Sequence, residues 1–376
     1  MSIPLQPETT SESGLVTSAE RVTLEQFLMY LRHPLFRPLA ALVLLIVVDF
    51  FVIPGFLHLE WKDGHLYGSL IDIINRAAPL ILTALGMTIV IATRGIDISV
   101  GAVVAISGTV AALLIGGTMQ MHNGVQEYVS QTPMVWAIAA ALGAAILCGA
   151  WNGLLVATLG LQPIIATLIL MVGGRGLAQL LTDGQIITVY YQPFFYIGSG
   201  YLFGLPFSLF IAVAVFLLAA ILMHKTALGL FIKAIGINPV ASRLAGIRTA
   251  TLIFFVYIFC STCAGIAGLM ISSNIKSADA NNAGLLMELD AILAVTLGGT
   301  SLGGGKFSLA GSVIGALIIQ TLTYTIYSMG VPPEVNMVVK ALVVFAVCLS
   351  QSQEVRHLMS RLSAFASKAR STVGKK

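Results

Sequence analysis

Residues Gly86 to Gly108 read GMTIVIATRGIDISVGAVVAISG: an apolar run, a short polar interruption, and a second apolar run. Apolar runs of this kind read as helices in apolar surroundings, and the interruption marks where one helix stops and another starts. Arg94 and Asp97 flank that bend. If Ile98 to Gly101 opens a half-helix, the Asp97 carboxylate stands ahead of its first turn. Free backbone N–H groups and the positive end of the helix dipole favour a negative charge there.

Composition identifies the solvent. The 376 residues are 57% hydrophobic and only 10% charged, whereas an ordinary soluble domain has about 25% charged residues. Runs of about 20 apolar residues match the hydrocarbon core of a bilayer, and they recur along most of the chain. The expected fold is an all-α polytopic membrane protein with about ten transmembrane helices and glycine-broken short helices among them. The spans read from the sequence are Pro38 to Phe56, Asp72 to Thr93, Ile98 to Gly117, Pro133 to Leu159, Pro163 to Leu181, Pro206 to Met223, Ala250 to Ser272, Leu286 to Thr300, Ser308 to Met329 and Asn336 to Ser350.

Orientation follows from lysine and arginine, because cytoplasmic loops carry the excess. With the N-terminus inside, cytosolic segments hold 15 of the 20 Lys and Arg residues and external segments hold two, Lys62 and Lys276. Both termini are therefore expected in the cytoplasm. The organisation expected is a polar tail over 1–37 without the early apolar core of a cleavable signal, a transmembrane domain over 38–350, and a basic tail over 351–376 lying on the anionic inner leaflet.

The glycine-rich stretch Gly298 to Ser308, GGTSLGGGKFS, invites a nucleotide-binding reading. A phosphate loop needs G-x-x-x-x-G-K-[ST], but Thr300 stands in place of the first glycine and Phe307 in place of the hydroxyl. The stretch reads instead as a tight turn between two spans, with Gly298, Gly299, Gly303 and Gly304 as bend residues. Asp97 and Gly101 have the same role in ATRGIDISVG. A weak likeness between Ala92 to Gly108 and Thr296 to Ser312 points to one repeated broken-helix unit. No catalytic constellation is present. The six histidines lack metal-ligand spacing, and Cys260 and Cys263, a C-x-x-C without a neighbouring His or further Cys, read as small hydrophobes.

The one substantial internal segment before the C-terminal tail, residues 224–249, reads HKTALGLFIKAIGINPVASRLAGIRT. Pro239 suits the first position of a helix, Asn238 its cap and Gly246 its end. A helix of about two turns is not stable alone in water, so it is expected to lie against a partner. Gly236, Asn238, Pro239, Ser242, Arg243, Ala245 and Gly246 form this candidate docking element.

That segment and three other stretches together resemble the permease subunits of ATP-binding-cassette importers for monosaccharides, the ribose, xylose, arabinose and galactoside family. The other three are Gly86 to Gly108, Trp151 to Gly184 (WNGLLVATLGLQPIIATLILMVGGRGLAQLLTDG) and Asn281 to Gly305 (NNAGLLMELDAILAVTLGGTSLGGG). Ser277 to Val295, Pro332 to Phe345 and Asp72 to Pro79 resemble the galactofuranose-transport branch in particular. Arg94 departs from the pattern, since many relatives have a second glycine there. The resemblance implies a subunit in the bacterial inner membrane that works with a second permease chain, as a heterodimer. It also implies a cytosolic ATPase that holds the ATP and magnesium, and a periplasmic sugar-binding protein. No cofactor is expected on this chain, and no nucleic acid.

Polar residues within apolar spans are candidates for a sugar pathway. They are Asn75, Arg76, Asn152, Arg175, Gln179, Asn281, Asn282 and Asp290. Other readings stand beside this one: Arg175 pairing with a carboxylate such as Asp290, Asn152 as a packing contact, and Asn75, Arg76, Asn281, Asn282 and Asp290 as the surface on which the binding protein docks. Lys340, in the tenth span, reads as pairing with Glu334 or reaching outward. Two other functions compete with the sugar importer. An ion-coupled secondary transporter would use its own midplane carboxylates, and a related ATP-driven permease would carry branched-chain amino acids.

Overall fold

In a computed structural model of the chain, residues 35 to 345 are described, apart from 63, 123–124, 333–334, 336 and 343–344. Residues 1–34 of the expected N-terminal tail, the whole expected C-terminal tail and about half of the tenth expected span lie outside the described residues. The described helices, in chain order, are α1 (Phe36–Val52), α2 (Ser69–Ala92), α3 (Val100–Ile115), α4 (Met134–Ala157), α5 (Pro163–Leu181), α6 (Gln192–Ser199), α7 (Phe207–Lys225), α8 (Ala227–Ile237), α9 (Pro239–Leu244), α10 (Thr249–Ile275), α11 (Met287–Leu297) and α12 (Leu309–Ser328).

Six of them are long and apolar enough to cross a membrane: α2, α4, α5, α7, α10 and α12. The chain is thus a multi-pass membrane protein built from helices. α11 has 11 residues, which at 1.5 Å per residue is about 16 Å, roughly half a bilayer core. Short antiparallel ribbons complete the connections: β1 (Glu60–Lys62) with β2 (His65–Tyr67), β3 (Thr118–His122) with β4 (Val125–Val129), and β6 (Tyr201–Leu202) with β7 (Leu205–Pro206). β5 (Ile187–Thr188) pairs with β8 (Ser277–Ala278), Ile187 opposite Ala278, and ties the segment after α5 to the end of α10.

α2 runs through the centre. Its residues from Leu80 to Ala92 are all buried, and it packs against α7, α10, α11 and α12. Between apolar helices in lipid, close backbone approach replaces the hydrophobic driving force, and small residues permit it. A side chain at Gly86 would strike the Cys260 backbone of α10, and one at Gly268 would strike the Val104 carbonyl of α3. Pro79 lies inside α2. Having no N–H, it leaves the Asn75 carbonyl without its helical donor.

The internal segment 224–249 differs from its sequence reading. It holds two helices rather than one, α8 and then α9, with Asn238 alone between them. Thr226 caps α8 by accepting from the Leu228 amide at 3.2 Å. That serine-or-threonine signal stands in the sequence, next to His224 and Lys225, which separate the apolar run behind it from the span before.

Candidate functional site

α8 ends with carbonyls that have no partner inside the helix, as every helix does. Arg94, from the bend between α2 and α3, supplies donors from outside. Its Nε donates to the Gly236 carbonyl and its Nη2 to the Ile237 carbonyl, both at 2.6 Å. The Arg94 backbone has φ 64°, a left-handed conformation that glycine adopts without strain. The turn after α11 closes the junction: the Gly305 amide donates to the Ala92 carbonyl at 2.9 Å, and Gly304 seats against the Arg94 side chain. A side chain at Gly236 would collide with both the Ala92 carbonyl and the Gly305 amide. Lys233 adds a charge over the Phe307 ring, 5.4 Å from its centroid. The α8–α9 joint is therefore wedged between two bends that are distant in sequence.

α9 begins at Pro239 with Asn238 as its cap, whose Oδ1 accepts from the Val240 and Ala241 amides at 3.0 Å each. At its end the Gly246 amide donates to Arg243 and the Ile247 amide to Ser242, the paired pattern in which a left-handed glycine terminates a helix. Gly246 has φ 87°. Ser242 is buried and faces the bundle, while Val240 is 68% and Leu244 85% exposed. The outward face of α9 thus includes two large apolar side chains absent from the residue set expected from sequence, next to Ala241 and Ala245. Arg243 is exposed and donates to the Thr249 hydroxyl at 3.4 Å.

Past Arg94 the bend is held internally. Asp97 accepts from the Ser99 amide at 3.0 Å and the Ser99 hydroxyl at 2.6 Å, and Asn152 of α4 donates to Ser99 Oγ at 2.8 Å. Asp97 therefore shapes the turn before α3, with Ser99 as the residue ahead of its first turn. Asn152 is fully buried and braces that turn. Gly101, in the first turn of α3, abuts the Gly284 carbonyl and the Glu288 carboxylate, so the amino ends of the two shorter helices meet inside the bundle. In the second bend, Gly298 packs on the Gly311 backbone, Gly299 and Gly304 take φ 84° and 81°, and Gly303 faces open space beyond the Ser301 hydroxyl.

At the Lys276 end, four of the eight pathway candidates come together. Arg175 donates to the Ala280 and Ala283 carbonyls at 3.1 and 2.5 Å, and Gln179 donates to Asn281 Oδ1 at 2.8 Å. Asn282 donates its side-chain amide to Asp279 at 2.7 Å. Burial acts to raise the Asp279 carboxyl, but hydrogen bonds from Asn282 and Asn281 with the Arg175 charge outweigh it and hold the group below its ordinary range. Asp290 lies apart. It accepts from Lys340 at 2.6 Å, which corrects the expected pairing of Arg175 with Asp290; the other expected partner of Lys340, Glu334, lies outside the described residues.

Asn75 and Arg76 line a different place, a cavity of about 360 Å³ between α2, α6, α7, α10 and α12. Arg76 pairs with Asp72 at 2.8 Å and Asn75 accepts from the Ser208 hydroxyl. Asn274 and Gln320 also line it, and neither stands out in sequence, since one amide inside a long apolar helix has no neighbouring signal. Among the described residues no group of three or more His, Cys, Asp or Glu side chains could hold a metal ion.

Residues 69–348 match the family model described as branched-chain amino acid transport system, permease component. The chain is similar to the galactofuranose transporter permease protein YtfT of Escherichia coli, 51% identical over 84% of this chain and 89% of that protein. It is 39% identical to the fructose import permease protein FruF of Bifidobacterium longum, over 86% of this chain and 89% of the relative. Identity to the ribose import permease protein RbsC of Escherichia coli is 36%, covering 85% and 94% respectively. No solved structure matches.

Proposed function

Because the chain belongs to this family of transport-system permease components, we propose that it is the transmembrane subunit of an ATP-binding-cassette importer. Its cargo is a monosaccharide, galactofuranose, and it lies in the bacterial inner membrane with ten spans over 38–350 and both tails, 1–37 and 351–376, cytoplasmic. The named sugar permeases at 36 to 51% identity support a sugar over a branched-chain amino acid.

One observation carries the mechanism: a capped two-turn helix, α9, presents Val240 and Leu244 outward while its root at Gly236 is wedged between two bends. Exposed apolar side chains on a short helix suit insertion into a partner's groove, and the partner is a cytosolic ATPase holding ATP and magnesium. A secondary transporter needs ionisable groups free to take an ion, whereas Asp290 is engaged by Lys340, and Asp97, held by Ser99 through one carboxylate oxygen, is fully buried away from any aqueous path.

A second permease chain, as a heterodimer, is the proposed neighbour of α5. The outer face of α5 exposes Ile165, Leu168, Ile169 and Val172, and Gly173 and Gly176 have open space beyond them, an arrangement that admits a close helix partner. Arg175, Gln179, Asn281 and Asn282 at the end of this face offer the weak hydrogen bonds a passing sugar needs, and the periplasmic binding protein would deliver it there. Uptake by the reconstituted complex across a panel of pentoses and hexoses in both ring forms tests the substrate. Preference for galactofuranose supports it; preference for ribose, or for leucine run as a competitor beside the panel, overturns it.

A further inference from the structure

We infer that Arg94 is a coupling latch, a positioning residue through which movement of α9 reaches both bends at once. The inference rests on α9 being the ATPase contact. Three observations meet on this one side chain.

First, α8 and α9 are separated by Asn238 alone, so the joint between them is the backbone of Gly236 to Asn238. α8 has no basic residue in its last turn, and its final carbonyls attract a cation from outside. Arg94 provides one across 142 positions of sequence, with two N–H groups of one planar guanidinium on two successive carbonyls at 2.6 Å each. Two bonds from a rigid plane fix orientation as well as distance, which a single ammonium does not.

Second, Arg94 follows α2 directly, only two positions beyond the Ala92 carbonyl that the Gly305 amide caps. Third, Gly304 sits against the Arg94 Cγ, close enough that a side chain at 304 would displace it. The first bend, the second bend and the α8–α9 joint therefore share one contact. A shift of α9 must carry both bends with it or break the guanidinium bonds.

The left-handed backbone at Arg94 makes the test clean. Arg94→Gly relieves the φ of 64°, removes the guanidinium and leaves the Gly236 wedge intact. Arg94→Lys keeps the charge with a single donor group. The assay is the reconstituted complex with its ATPase and binding protein, radiolabelled galactose as probe, and uptake and ATP hydrolysis measured together. For R94G, hydrolysis is expected within about twofold of the parent chain and sugar moved per ATP about tenfold lower, the order of effect for lost charge-assisted hydrogen bonds. R94K falls between, and thermal stability is retained.

A parent-like ratio of sugar to ATP in R94G overturns the latch, as does loss of complex assembly, which would make Arg94 an assembly residue. If the parent complex shows no ATP-driven uptake, the transport reading fails separately. The latch is then judged by spin-label distances between cysteines placed at exposed Val240 and Ser301. R94G is expected to broaden that distribution, and an unchanged distribution overturns the inference.

Discussion

Gly101, in the first turn of α3, lies against Glu288, in the first turn of α11, so closely that a methyl group at 101 would strike the carboxylate. The two half-helices are thereby locked amino end to amino end. The contact also places one carboxylate beside two helix N-termini, where the positive ends of both dipoles favour it. Gly101→Ala is expected to lower the thermal stability of the purified chain by about 1 to 3 kcal/mol, the range for overpacking a tight site. Gly303→Ala, facing open space, serves as the neutral control in the same melting experiment.

Asn152 braces the first bend by donating to Ser99 Oγ at 2.8 Å. Asn152→Leu leaves the Ser99 hydroxyl short of a donor in a fully buried site and is expected to destabilise by about 1 to 3 kcal/mol. Because Asn152 is walled in, the same variant should leave the relative preference among sugars unchanged. A switch in sugar preference in competition uptake would return Asn152 to the pathway.

The Lys340–Asp290 pair, at 2.6 Å with both side chains about one-fifth exposed, makes a test of non-additivity. Lys340→Met alone strands a carboxylate and is expected to cost about 3 kcal/mol. The double variant K340M/D290N should recover most of that loss in thermal unfolding. Equal loss in the single and the double variant would show the pair to be incidental.

How far the sequence carried differs from element to element. The fifth span was legible to the residue, Pro163 to Leu181 in both readings, because proline opens it and a polar turn follows. α9 was legible from Asn238, Pro239 and Gly246, each of which has a local backbone reason to stand where it does. α8 was not: His224, Lys225 and Thr226 marked the end of the preceding span, but the apolar stretch behind them was read as part of an internal loop rather than as a helix. α6 hid in a loop that is aromatic rather than periodic. The pathway candidates scattered into separate places because a polar residue in an apolar run looks the same in sequence whether it lines a cavity, as Asn75 does, braces a turn, as Asn152 does, or pairs, as Asp290 does. Arg94 was visible as a departure at a bend. Its contact with Gly236 was not, because nothing local in either segment encodes a bond 142 positions away.

The central claim is that a cytosolic ATPase drives transport through the α8–α9 element. The most direct measurement is sugar uptake into proteoliposomes holding the full complex, with the ATPase either active or disabled at its hydrolytic site, and with proton and sodium gradients imposed or collapsed. Uptake is predicted to require the active ATPase and to be indifferent to both gradients. Uptake that continues with the disabled ATPase and follows an imposed ion gradient would contradict the account.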